Sequence, residues 1–341
     1  MEWINHLLPW GLDVFGFFIK AAIIILGLLL LLSTAIKGKV EDKITVKDLN
    51  KRFKAYKNAL LEEFLDKKAF KKELKSQTKD DKNNSKSDGK SPTLRPRSFY
   101  IHFHGDIRAS AVEQLREVVT AVLTVATSKD EVILDLESPG GMVHGYGLAA
   151  SQLQRIKDAG VPLTICVDKV AASGGYMMAC LADKIIAAPF AIIGSVGVVA
   201  SVPNFNKILK KNDIDFYQIT SGKFKRTLTL MGEVTNEGLE KFKEDIEETH
   251  ELFKKHIKTF RPQVDIERIA TGEHWFGQTA LQLKLVDALG TSDDYLFKQS
   301  VHRDIKEVSF SVKKTLKDKI AEGLALSINR VTDTVLDNLR K

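Results

Sequence analysis

Cysteine is scarce in this chain, since its 341 residues include only Cys166 and Cys180. Both lie in apolar stretches, which favours two buried small hydrophobic side chains over a disulfide. The eight histidines are scattered, and none falls in a His-Glu-x-x-His pattern. Because no group of cysteines, histidines and carboxylates has the spacing of metal ligands, the sequence predicts no metal site and no cofactor.

Acidic residues are outnumbered in one stretch, residues 37–97, which holds 19 Lys and Arg against 10 Asp and Glu. The whole chain carries a formal net charge of only +7, so the remainder is close to neutral. A basic excess confined to one segment argues against a nucleic-acid partner for the protein. It favours contact of that segment with the anionic head groups of a lipid bilayer.

Residues 14–36 are apolar except for a few polar positions such as Lys20, and the run is long enough to span a bilayer. Residues 1–13 contain no Lys or Arg, whereas a cleaved signal peptide begins with a basic region. We therefore predict an uncleaved N-terminal transmembrane helix behind a short flank. The lysines that follow it favour a cytoplasmic position for the rest of the chain.

Two segments separate this anchor from the predicted folded domain. Residues 37–74 carry apolar side chains at loosely helical spacing among many charges. The pattern is typical of a juxtamembrane helix or of a helix that packs on its own domain, and both interpretations stay open. Residues 75–97 have almost no apolar side chain, which predicts a disordered linker. The folded domain is then expected over 98–300, with an amphipathic C-terminal helix over 301–341.

Strand-like and helix-like segments alternate after residue 98, which predicts an α/β domain with parallel strands. The predicted strands are 99–104, 132–136, 162–167 and 184–188, and the predicted helices are 111–126, 146–158, 174–182 and 235–258. The apolar run 185–202 resembles a second membrane span. Because Pro189, Gly194 and Gly197 interrupt it, we predict a buried strand and a loop instead.

Ser173 lies in a short segment that places a serine hydroxyl between a predicted strand and two glycines. A serine hydroxyl is a weak nucleophile, so it needs an adjacent base and N–H donors that stabilise the oxyanion. Gly174 follows it at a predicted helix start, and Gly141 ends the segment Glu137-Ser138-Pro139-Gly140-Gly141. These two N–H groups are the candidate oxyanion donors.

Lys225 is the candidate base, because a lysine between apolar residues can be held neutral by burial. Lys223, two residues earlier, is the alternative lysine. No histidine lies in a comparable loop. Spacing alone does not exclude His102, His104 or His144, since catalytic triads are assembled in space.

Four segments contain glycine close to a serine or a lysine, namely DLESPGG at 135–141, ASGGY at 172–176, GSVGV at 194–198 and SGKFK at 221–225. Motifs like these occur in the same order in the signal peptide peptidase A family of serine peptidases (S49), and the chain resembles that family. The segments WFGQTA at 275–280 and LVDALG at 285–290 are also similar to the end of the family's catalytic region. With one catalytic unit, an anchor and a charged linker, the chain resembles the half-size members of bacterial inner membranes.

The resemblance implies a ClpP/crotonase-like fold of repeated ββα units, with Ser173 as nucleophile, Lys225 as base, and Gly141 and Gly174 as the oxyanion hole. It also implies a homo-oligomeric ring in which neighbouring subunits help to complete each site. The expected substrates are peptides or proteins, such as signal-peptide remnants or misfolded envelope proteins. The membrane face of the catalytic domain stays open, because related peptidases act on the side opposite to that favoured by the charges. Two alternatives also stay open, a crotonase-fold acyl-CoA enzyme and a non-catalytic membrane scaffold.

Overall fold

The computed structural model describes residues 43–84 and 95–311, together with Lys20. The predicted flank 1–13 and, apart from Lys20, the predicted anchor 14–36 lie outside the described residues. Among the residues that the structure describes, no helix is both long enough and apolar enough to cross a membrane.

Residues 44–310 form one compact unit, which holds nearly all the described residues.

Seven strands within the described residues form the main sheet, in the order β1-β10-β2-β3-β4-β6-β9. Their bounds are β1 Lys43–Asp48, β2 Arg97–His104, β3 Glu131–Glu137, β4 Leu163–Val167, β6 Lys184–Ala187, β9 Ala288–Leu289 and β10 Asp304–Ser311. From β10 to β9 every neighbouring pair is parallel. β4 is buried along its whole length, as expected of a parallel strand covered on both faces.

Helices cover both faces of this sheet. One face packs with α3 Val112–Leu123, α4 Val143–Asp158 and α5 Gly174–Ala179 in the main hydrophobic core, which also takes in the C-terminal half of α7 Asn236–Phe260. The opposite face packs with α1 Leu49–Phe64 and α10 Ser292–Gln299 in a smaller core. The remaining helices are α2 Lys67–Asn84, α6 Asn206–Lys211, α8 Ile266–Ile269 and α9 Gly277–Gln282.

The helix α1, which lies within the segment 37–74, packs on its own domain. Leu49 is only 1% exposed in the smaller core. The Asn50 side chain donates to the carbonyls of Ser300 and Arg303 and accepts from the Ile305 N–H at 2.7 Å. The start of the segment predicted as juxtamembrane is therefore tied to the end of the folded domain.

Two predicted boundaries differ from the structure. The helix α2 continues to Asn84, inside the segment 75–97 that we predict as a disordered linker. Strand β10 occupies Asp304–Ser311, inside the segment 301–341 that we predict as helical. β10 forms there because Ile305 fills the smaller core and the strand pairs with β2. Residues 312–341 lie outside the described part of the chain.

A three-stranded sheet stands beside the main one, in the order β5-β7-β8. Its strands are β5 Val170–Ala172, β7 Ile192–Gly194 and β8 His274–Phe276, with β5 and β7 parallel and β7 and β8 antiparallel. The prediction of a strand and loop in 185–202 is confirmed by β6 and β7. Cys166 and Cys180 are free and buried, also as predicted.

Candidate active site

Ser173 lies between the last residue of β5 and the first residue of α5, in a sharply turned backbone with φ of +51° and ψ of −119°. Residues other than glycine rarely adopt a positive φ, and such strain persists only where the surroundings impose it. Here the Ser173 N–H donates to the Gly194 carbonyl at 2.8 Å, and the Ser173 carbonyl accepts from the Met177 N–H at 2.9 Å. Strand pairing on one side and the helix on the other fix this turn.

The loop after β3 lies directly against Ser173. Gly140 has a φ of +89°, and a Cβ on it would come within 2.7 Å of the Ser173 Cβ and 2.8 Å of the Gly174 nitrogen. A Cβ on Gly141 would come within 2.1 Å of the Ile107 carbonyl oxygen. Only glycine therefore lets this loop approach both the serine and the segment that follows β2.

A series of hydrogen bonds joins the loop after β3 to the segment after β2. The Gly140 N–H donates to Ser138 Oγ at 3.1 Å, and Ser138 Oγ lies 2.5 Å from the Tyr146 hydroxyl. That hydroxyl donates to the Asp106 carbonyl at 2.8 Å. Burial raises the pKa of Tyr146, so its hydroxyl stays protonated as a donor. A Cβ on Gly174 would strike the Tyr146 ring, so this tyrosine also supports the start of α5.

Ser173, Gly141 and Gly174 all line one cavity of about 750 Å³. Its walls are partly apolar, and the residues that contribute them include Ile107, Val143, Met177, Val198, Val199 and Phe253. A cavity of this size accommodates a few residues of an extended peptide and places them against the serine. Three of the four predicted site residues are thus brought together.

The fourth, Lys225, is not brought to this cavity within one chain. It lies exposed in the segment between α6 and α7, where its N–H donates to the Gly222 carbonyl at 3.2 Å. The alternative Lys223 forms an ion pair with Glu237 and lies 5.1 Å from the centre of the Phe224 ring. Neither lysine belongs to the cavity lining.

The histidines left open by the sequence lie elsewhere. His144 is exposed at the start of α4 and does not line the cavity. His102 and His104 alternate along β2 with Ile101 and Phe103, whose side chains fill the main core. Since successive side chains of a strand point to opposite faces, these two histidines face away from the core that contains Tyr146.

Sequence reasoning missed His250 of α7. It lines the Ser173 cavity, and its Nε2 is buried without a hydrogen-bond partner among the described residues. The chain around it is an ordinary amphipathic helix, and no motif marks the position. Only the packing of α7 against α5 brings it to the site.

Comparison with known proteins gives a consistent result. The profile of Peptidase family S49 matches residues 155–306, and that of Peptidase family S49 N-terminal matches residues 12–153. The chain is 54% identical to "Probable protease SohB" of Haemophilus influenzae over 67% of this chain and 66% of that protein. It is 47% identical to "Probable protease SohB" of Buchnera aphidicola subsp. Acyrthosiphon pisum over 92% of both chains.

Among solved structures, the chain is similar to a mutant of the "1510-N membrane-bound stomatin-specific protease" in complex with a substrate peptide. The match covers 67% of this chain and 98% of the solved chain. The sequence identity is 14% and the TM-score is 0.39.

Proposed function

Because the chain belongs to peptidase family S49, we propose that it is a membrane-anchored serine endopeptidase that uses Ser173 and Lys225 as a catalytic dyad. The observation that carries this proposal is the strained turn at Ser173, which presents the serine to a cavity shared with Gly141 and Gly174. A strained strand-to-helix turn of this kind is how hydrolases expose a nucleophilic hydroxyl.

The proposed reaction proceeds in two steps. Neutral Lys225 takes the proton of Ser173 Oγ as the oxygen attacks the peptide carbonyl carbon, and the Gly141 and Gly174 N–H groups stabilise the oxyanion. The lysine then gives the proton to the leaving amine, and an acyl-enzyme ester forms. Water, deprotonated by the same lysine, hydrolyses the ester and restores the serine.

Lys225 would come from a neighbouring copy in a homo-oligomeric ring. Its segment exposes large apolar side chains to solvent, among them Tyr217 at 81% and Ile219 at 95%. Apolar surface of this extent is typical of an interaction site. Burial against a second copy would cover these side chains and would also provide the apolar surroundings in which a lysine is held neutral.

The finer architecture is proposed on the same basis. β4 followed by β5, and β6 followed by β7, each add one strand to the main sheet and one to the small sheet. This repetition supports a ClpP/crotonase-like arrangement. Residues 14–36 would anchor the chain in a bacterial inner membrane, and the substrates would be signal-peptide remnants or misfolded envelope proteins.

The test is labelling of the full-length protein in detergent with a fluorescent fluorophosphonate probe, after separation of its oligomeric states. Wild type should be labelled in the oligomer, and Ser173→Ala and Lys225→Ala should each lose labelling, while Lys223→Ala should keep it. Loss in Lys223→Ala with retention in Lys225→Ala would reverse the lysine assignment. Loss in His250→Ala with retention in Lys225→Ala would replace the lysine by the histidine of the cavity.

A mixed assembly tests the origin of the lysine. Ser173→Ala subunits still carry Lys225, and Lys225→Ala subunits still carry Ser173. If the base comes from a neighbour, co-assembly of the two variants restores labelling on the Lys225→Ala subunits. Co-assembled rings that stay unlabelled while wild-type rings react would place the lysine in the same chain. A folded wild-type oligomer that never reacts would favour the non-catalytic scaffold.

A further inference from the structure

A polar patch interrupts the otherwise covered second face of the main sheet. At the N-terminal ends of β2 and β3, this face is apolar and belongs to the smaller core, where Tyr100 and Ile133 lie. Towards the C-terminal ends, the same face carries His102 and His104 from β2, with side chains 39% and 63% exposed. The neighbouring strand contributes Asp135.

The strand register makes this cluster. His102 lies opposite Asp135, and His104 lies opposite Glu137. Because residues two apart on a strand point to the same face, both histidines and both carboxylates stand on one side of the sheet. More than thirty residues separate the two strands in the sequence, so no local spacing of ligand residues indicates a metal site here.

We propose that His102, His104 and Asp135 bind a divalent transition-metal ion, and Zn²⁺ is the ion that suits these ligands best. One ligand atom from each of the three residues lies within 4.8 Å of the others. Two ligands of a tetrahedral zinc are separated by about 3.4 Å, so rotation of the exposed imidazoles is enough to close the site. Two imidazole nitrogens and one carboxylate oxygen suit zinc rather than calcium or magnesium, which take oxygen ligands.

The groups around the cluster support metal ligation. His102 Nδ1 lies 2.9 Å from Asp135 Oδ2, which also accepts from the buried Tyr100 hydroxyl at 3.3 Å. His104 Nδ1 lies 3.5 Å from Glu137 Oε2, and Glu137 is itself held by Lys169 at 2.9 Å. Asp135 is thus held in place as a ligand, and Glu137 is a carboxylate of the kind that orients a metal-binding histidine from outside the ligand set.

The proposed ion lies at the ends of two strands whose following segments reach Ser173. His104 is the last residue of β2 and Glu137 the last residue of β3. The segments that follow them contain Ile107 and Gly141, which pack together beside Ser173. A bound ion would join the two strands immediately before these segments, and this inference does not depend on the proposed reaction.

The test is isothermal titration of Zn²⁺ into the full-length protein in detergent, after treatment with a chelator and without a polyhistidine tag. Wild type should bind one ion per chain, and its thermal unfolding midpoint should rise with zinc. His102→Ala, His104→Ala and Asp135→Asn should each weaken binding roughly tenfold or more. The His104 side chain is 63% exposed, so its removal should leave the midpoint without zinc unchanged.

His302→Ala is the matched control, because His302 is exposed and lies outside the cluster. It should bind zinc as wild type does. The proposal is overturned if wild type takes up no zinc, if His104→Ala binds as tightly as wild type, or if His302→Ala loses as much affinity as the cluster variants.

Discussion

Gly141→Ala should remove most of the activity while the protein stays folded. The backbone φ of Gly141 lies outside the left-handed region, so alanine brings no conformational strain of its own. Its Cβ would instead lie 2.1 Å from the Ile107 oxygen and 2.6 Å from the Ile107 carbonyl carbon, and both are backbone atoms. The two segments must therefore move apart.

The magnitude follows from what that movement breaks. The Ile107 carbonyl accepts from the Met142 N–H at 2.8 Å, and loss of one such bond costs about 0.5–1.5 kcal/mol of stability. The displaced Gly141 N–H no longer reaches the oxyanion, and removal of one donor of this kind lowers kcat by about 10²–10³. The variant should therefore be folded and nearly inactive.

The assay pairs the rate of fluorophosphonate labelling with thermal unfolding of the same sample. Gly147→Ala is the control, since its Cβ would meet nothing within 4 Å and it lies inside α4. It should keep the wild-type rate and gain up to about 1 kcal/mol from helix propensity. Wild-type labelling by Gly141→Ala would refute the role assigned to this glycine.

Two further substitutions test structural pairs. Asp287→Ala removes the two bonds of 2.8 and 2.9 Å that the guanidinium of Arg261, a residue only 3% exposed, donates to the carboxylate, and leaves its bond to the Lys284 carbonyl. The loss should cost about 3–5 kcal/mol in chemical denaturation. An equal midpoint for variant and wild type would contradict this. Asp130→Asn should cost about 1.5–3 kcal/mol, because Arg97 donates to the carboxylate at 2.6 and 3.0 Å.

The Asp130 effect should also depend on pH. Burial alone would raise the pKa of Asp130. The hydrogen bonds from Arg97 and Thr127 together lower it by more than burial raises it, so the pKa in the folded protein lies well below its ordinary value. The stabilisation is thus complete above about pH 4, the pKa of an unfolded aspartate, and is lost as the pH falls towards the folded value. The gap between wild type and Asp130→Asn in thermal midpoint should shrink below about pH 4. A gap that stays constant from pH 7 to pH 3 would contradict this origin.

Local patterns were sufficient for most of the central architecture. The predicted strand 132–136 corresponds to β3, and the predicted helix 235–258 corresponds to α7. Both carry a continuous or periodic apolar signal. Ser173, Gly141 and Gly174 could also be placed together, because a nucleophilic serine needs nearby N–H donors and because their segments resemble motifs of one peptidase family. The strands that precede them, β3 and β5, belong to different sheets and meet only at the bridge between Ser138 and Ala171, which the sequence does not predict.

Long-range pairings could not be predicted in the same way. The sequence of 37–74 is compatible with a juxtamembrane helix and with a helix that packs on its own domain. Leu49 is buried because α1 contacts β10, which comes from the other end of the domain. His250 and the His102–Asp135 pair are brought into place by helix packing and strand register, which no local pattern encodes. Lys225 is exposed in the single chain, so its predicted role depends on contacts that one sequence does not contain.

The hydrogen bond between Asn50 and Ile305 also determines when α1 can dock during synthesis of the chain. These residues are 255 positions apart, and β10 lies between β1 and β2 in the sheet. As the chain leaves the ribosome, β1 and α1 emerge first but have no place to dock until residue 311 has been made. Closing so long a loop late is entropically costly, and the unpaired edge of β2 stays open to other chains meanwhile. Premature termination before β10 would therefore yield a product that is prone to aggregate, although it would contain every residue assigned to catalysis.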